Sequence, residues 1–156
     1  MRLLIISFIF SNILIAQVLN VGDRYPSAMI TNQFQESSKV YNSDKFIIMT
    51  FEKDVSGSLN AYLKKRPSNY LSSRDIKFIA DISGMPTIIT HIFALPKMKK
   101  YHYSIYLIDK EDEAEKFVRK DGLITLYEIE NRVIKSISYM TPKELIHKLD
   151  SGSSPE

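Results

Sequence analysis

The chain contains no cysteine. Dithiol exchange, a thiolate nucleophile and a cysteine-ligated metal are therefore excluded from it, and its fold must hold without disulfides. An oxidising compartment, where stray thiols become paired, suits such a chain. Histidine is scarce as well. His91, His102 and His147 are the three present, and no two stand at i, i+4 or in an H-E-x-x-H pattern. No metal site is expected from them. Glycine is limited to five residues, none of them in a glycine-rich phosphate loop, and "SGMP" at 83–86 is too short to be one. Charge of one sign is also lacking. A net charge of +3 and a pI near 9.0 permit weak attraction to anionic surfaces but do not argue for nucleic acid. The acidic group Glu111, Asp112, Glu113 and Glu115 lacks the spacing and glycine of an EF-hand and reads as a solvated face. There is no internal repeat and no low-complexity tract.

What is present is a globular composition. The 156 residues are 44% hydrophobic and 25% charged, enough for a single core. The opening "MRLLIISFIFSNILIAQ" has one early positive charge, Arg2, then an apolar run over 3–16. That run has the length of a signal-peptide core and falls short of the roughly 20 residues of a membrane span. The expected division is a signal peptide at 1–16, one domain at 17–150 and a flexible polar tail at 151–156.

Within the domain, "KFIIMTFE" (45–52) is continuously apolar, which predicts a central strand covered on both faces. A helix is expected from Ser56, with Leu59, Tyr62 and Leu63 on one side and Lys64, Lys65 and Arg66 near its C-terminal end. Ahead of them, Ala28, Ile30 and Phe34 are expected to face inward from short strands, with "QESS" as the turn. "IKFIADI" (76–82) and "YSIYLID" (103–109) read as further strands. Between them lies a helix with Pro86 near its start and Pro96 disturbing its end. "LITLYEIENRVIKSISY" carries a hairpin signal at Glu130-Asn131. "TPKELIHKLD" has Thr141 as N-cap, Pro142 in the first turn and Glu144 completing a capping box.

Strands alternating with helices, then a hairpin and a closing helix, predict an α/β fold with a mixed sheet. The order resembles the thioredoxin-like fold. "VGDRYPSAMITNQFQESSKV" is similar to the N-terminal hairpin of exported thioredoxin-like and peroxiredoxin-like proteins. "KFIIMTFEKDVSGS" resembles their strand and cysteine-bearing turn, and "LYEIENRVIKSISYMTPKELIHKL" resembles their final hairpin and helix. The resemblance implies a three-layer sandwich, a mixed central sheet with helices on both faces. It also implies that Ser56 and Leu59 stand in the slots of the C-x-x-C cysteines. The position of the family's cis-proline falls either near His102-Tyr103 or near Gly122, and neither is proline.

The resemblance further implies a groove at the turn, walled by Asp54, Val55, Ser56, Gly57 and Ser58 on one side. The other wall is His102 and Tyr103, or else Gly122. Ser56 fits a helix N-cap, with phosphate or carboxylate binding as the alternative. The basic and aromatic "KMKKYHY" (97–103) reads as a solvated helix end or as a contact patch. These features lead to the expectation of an exported, periplasmic, non-redox binding or accessory protein of bacterial type, without a cofactor. Another exported protein is its expected partner, with no nucleic acid and no membrane span after cleavage. The rival expectations are an enzyme using non-thiol chemistry at the Ser56 turn and a chaperone-like envelope protein.

Overall fold

The structure, a computed structural model, describes residues 18–151. The expected signal peptide and nearly all of the expected tail lie outside the described residues.

Seven strands form one mixed sheet in the order β2-β1-β5-β4-β3-β6-β7. They are β1 (Ile30–Asn32), β2 (Ser37–Ser38), β3 (Phe46–Thr50), β4 (Ile76–Asp81), β5 (Tyr106–Ile108), β6 (Ile124–Glu130) and β7 (Val133–Met140). β3, β4 and β5 are parallel neighbours, while β6 runs antiparallel to β3 on one side and to β7 on the other. Every residue of β3 is buried, as its unbroken apolar run predicts. Phe46 and Ile48 face one core, Ile47 and Met49 the other, because successive side chains leave opposite faces of a strand.

The first core lies under helices α1 (Lys53–Leu63) and α5 (Pro142–Asp150), which contribute Val55, Leu59, Leu63, Leu145 and Leu149. On the same face runs a composite helix: α2 (Thr87–Ile89), a π-helical segment (Thr90–Ala94) and α3 (Leu95–Met98). Parallel β3-α1-β4 and β4-α2/α3-β5 crossovers step in one direction along the sheet, and right-handedness puts both connections on one side. The second core is covered by the short α4 (Glu111–Ala114), Phe117 and the N-terminal residues Leu19, Tyr25 and Val40. The expected three layers are therefore present, with unequal cover on the two faces.

Local chemistry explains the element ends. Thr141 and Glu144 form the expected reciprocal capping box at α5. Accepting the Thr141 N–H and hydroxyl hydrogen bonds holds the Glu144 carboxyl below its ordinary pKa. The β6–β7 hairpin turns through Asn131 and Arg132, both with positive φ, the signature of a type I′ turn. The π segment precedes Pro96, which has no N–H to offer the Ile92 carbonyl and whose ring would crowd it. The helix widens there, and the Leu95 N–H reaches the Thr90 carbonyl five residues back.

Two local expectations are corrected. Helix α1 begins at Lys53, three residues before Ser56, with Glu52 as its extended N-cap. Ala28 and Phe34 are exposed. The buried residues of that region are instead Asn32 and Gln33. Gln33 is held by Tyr103 and Ile105: its Nε2 donates to the Tyr103 carbonyl and its Oε1 accepts the Ile105 N–H.

Candidate functional site

The sheet's register decides which residues face the turn at the start of α1. β6 pairs antiparallel with β3 so that Thr125 lies opposite Met49 and Ile47 opposite Tyr127. The start of β6 is therefore at the same edge of the sheet as the end of β3. Just before β6, the Gly122 N–H donates to Glu52 Oε1 over 2.9 Å. Of the two alternatives left open by the sequence, Gly122 is the one that meets the turn. Gly122 has φ of +72°, in the region that glycine enters without steric cost.

His102 and Tyr103 lie toward the other end of α1. His102 Nε2 donates to the Arg66 carbonyl over 2.7 Å. Tyr103 Oη donates to Asn60 Oδ1 over 2.9 Å. Burial, and behind it the neighbouring Tyr101, raises the Tyr103 phenol well above its ordinary pKa. These two residues anchor the helix and are not brought together with Ser56.

The remaining expected wall residues divide by the phase of α1. Val55 faces the core, as does the fully buried Leu59, which the resemblance put in the slot of the second cysteine. Asp54 and Ser58 are exposed, and Ser58 Oγ donates back to the Asp54 carbonyl. Ser56 lies inside the helix, its N–H bonded to the Glu52 carbonyl, so it is not the N-cap. Its hydroxyl donates over 2.7 Å to Thr50 Oγ1, which is buried at the end of β3. Its hydroxyl proton is thus engaged by another hydroxyl and not by a base, whereas an activated serine donates to a base.

Ser56 and Gly57 do face a cavity, of about 620 Å³. It opens between α1 and the composite helix, over the carboxyl ends of β3 and β4. That is where open α/β sheets place ligands, and the volume is within the usual range for small-molecule sites. Small side chains make the gap: Ser56, Gly57, Ala80, Gly84 and Ala94 all line it. Phe51, Ile82, Met85, Ile89, Phe93, Met98 and Tyr101 give it an apolar wall. Outside, Ile88 and Phe93 are 70% and 63% exposed, and Ile89 and Ile92 are exposed beside them.

The rim is polar. Lys53 from α1 and Lys97 from α3 stand on opposite walls, and Arg119 adds a third cation. Arg119 Nη2 donates to the Phe51 carbonyl over 3.3 Å, and its guanidinium lies over the Phe51 ring. Two carboxylates also line the cavity. Glu52 is engaged by Gly122, and Asp81 Oδ1 accepts both the N–H and the hydroxyl of Ser83. Sequence reasoning found Ser56 and Gly57, and Lys97 as part of a basic segment, but missed the facing apolar wall of Ile89 and Phe93. The signal was there, in an apolar "IIxxIF" run before "KMKK" that is too rich for one buried stripe.

The basic and aromatic segment splits in two. Lys97, Lys99 and Lys100 are exposed, whereas Tyr101 and Tyr103 are buried and stacked with ring centres 5.5 Å apart. All three histidines are exposed. Among the described residues, no group of three or more histidine and acidic side chains is placed to hold a metal.

Comparison with solved structures identifies the fold. The thioredoxin domain of a thiol-disulfide oxidoreductase from Bacteroides vulgatus superposes with a TM-score of 0.56 at 13% identity, covering 85% of this chain and 97% of that one. A conserved protein of unknown function from Bacteroides fragilis gives 0.54 at 9% identity, over 84% and 99% of the two chains. A peroxidoxin from Mycobacterium tuberculosis gives 0.53 at 11% identity, over 86% and 98%. The chain thus has a thioredoxin-like fold and lacks the cysteine pair. No protein-family model matches it, and no curated protein matches it either.

Proposed function

We propose that this is an exported, non-redox binding protein that uses the cavity beside the α1 turn to hold a ligand or partner without transforming it. The observation that supports this reading is the cavity itself. It sits where the fold would carry its thiols, yet Leu59 is in the core and the Ser56 hydroxyl is committed to Thr50. Export is supported by Arg2, the apolar run over 3–16 and the absence of cysteine, and its bacterial, periplasmic setting by the resemblance to exported thioredoxin-like proteins. No helix among the described residues is long and apolar enough to cross a membrane.

Gly57→Arg tests the binding reading. Gly57 is helical, with nothing within 4 Å of where a Cβ would stand, so arginine fits the backbone and projects into the cavity. Envelope components captured by the wild-type protein should be lost by a folded Gly57→Arg protein, and their retention would refute the reading. Export is checked by intact mass. Protein from the native host should lack roughly 16 to 20 N-terminal residues, and a soluble product still beginning at Met1 would refute that part.

A further inference from the structure

The cavity has two kinds of surface, and their arrangement restricts what it can hold. Its depth is apolar: Phe51, Ile82, Met85 and Met98 come together there, and Ile89 and Phe93 extend the apolar wall out to solvent. An apolar body that enters gains about 25 cal/mol for each Å² it removes from water. Its rim is cationic. Lys53 and Lys97 have no ion-pair or hydrogen-bond partner among the described residues, and both are exposed. Both carboxylates of the lining already accept hydrogen bonds, Glu52 from Gly122 and Asp81 from Ser83. Three cations of the lining, Lys53, Lys97 and Arg119, stand against these two carboxylates, so the balance of charge favours an anion, and the two unpaired ammonium groups are the ones free to meet it.

We infer that the cavity binds a single-chain amphiphile with a carboxylate head, a free fatty acid in chemical class. Its chain lies among Phe51, Ile82, Met85 and Phe93, and its carboxylate lies between Lys53 and Lys97. This rests on the binding reading above and adds to it the identity of the ligand. The lysines select the head by charge rather than by geometry, since an ammonium on a flexible stem acts as a point charge. Selectivity should accordingly weaken as salt is raised.

The test is titration calorimetry of the mature protein with dodecanoate, dodecanol and dodecyltrimethylammonium, each below its micelle concentration, with acetate as the chainless control. Dodecanoate should bind at one per chain. Dodecanol should bind at least about tenfold more weakly, roughly the 1.4 kcal/mol of one such charge contact, and the cation and acetate should not bind. The double variant Lys53→Gln, Lys97→Gln should lower dodecanoate to the affinity of dodecanol and leave dodecanol unchanged. Both lysines are exposed and unpaired, so this variant should fold. Gly57→Arg should abolish both. Equal binding of dodecanoate and dodecanol would overturn the carboxylate assignment while leaving the binding reading intact, provided that Gly57→Arg still removed both. Dodecanoate binding that survives Gly57→Arg, or no binding of any amphiphile, would overturn the inference outright. So would equal displacement of dodecanoate by a neutral apolar peptide amide.

Discussion

At its C-terminal end α1 is tied to three other parts of the molecule, whereas its N-terminal end faces open space. Tyr62 and Tyr70 share a 2.7 Å hydrogen bond, and Tyr62 and Arg66 both donate to Asp150 at the end of α5, at 2.7 and 2.6 Å. Tyr103 reaches Asn60 and His102 reaches the Arg66 carbonyl, while Lys64 covers the Tyr101 ring at 4.8 Å. At the other end Lys53 has no partner among the described residues, Gly57 has no side chain, and the N-cap Glu52 gives the helix no side-chain cap. Polar groups that are already paired hold structure and have little left to offer a ligand. Unpaired ones beside an apolar gap retain their full capacity to bind. One helix thus separates a structural end from a binding end.

High pH should break the structural end and with it the fold. Burial raises the phenols of Tyr25, Tyr103 and Tyr127 above the ordinary 10.0. Burial, together with the hydrogen bonds to Tyr70 and Asp150, does the same for Tyr62. A pKa raised in the folded state means stability that is complete below the unfolded value and declines as pH climbs from there toward the folded value. Unfolding should therefore set in above a pH of about 10. An ultraviolet titration should show some of the nine tyrosines ionising only as the chain unfolds. Nine phenols ionising together in the folded protein, near the ordinary value, would erase the distinction.

Next in size is Leu59→Ala. The resemblance put this residue in the slot of a redox cysteine, yet it is fully buried on the core side of α1. Its truncation should cost about 3 kcal/mol in chemical denaturation. A change below about 1 kcal/mol would place it with the open end and not with the core. Tyr103→Phe sharpens the comparison at lower amplitude. It leaves Asn60 Oδ1, at the far end of the cavity lining, buried without its donor, and should cost about 1–2 kcal/mol while changing ligand binding far less than Gly57→Arg does. Weakened ligand binding at unchanged stability would show that the two ends are not separate.

The smallest effect is expected at Gly57→Ala, and it should have the opposite sign. Gly57 is in the helix interior with room for a Cβ, so alanine should stabilise by roughly 0.5–1 kcal/mol. A protein that keeps a glycine there forgoes stability at the binding end. Destabilisation by alanine would mean that Gly57 serves the backbone and not the cavity.

Much of this was legible in the chain wherever the signal is local. The capping box of α5 needs only Thr141 and Glu144, and the burial of β3 only its unbroken apolar run, because each is decided within a few residues. The hairpin signal is local too, but as read at Glu130-Asn131 it lies one residue before the turn at Asn131 and Arg132. The absence of cysteine settled the loss of thiol chemistry without any structure. The start of α1 was misjudged because Ser56 is a good capping residue, while the residue that caps, Glu52, uses only its extended backbone. Whether Gly122 or His102 faces the turn was decided by strand order and by the antiparallel register of β6 on β3. These depend on which distant strands pair, and no short pattern records that. The cavity was the least legible feature of all. It is a gap between α1 and the composite helix, so it belongs to neither sequence segment alone. Only the tertiary packing brings Gly57, Phe93, Lys53 and Lys97 around one volume, because the small side chains between the two helices leave that space unfilled.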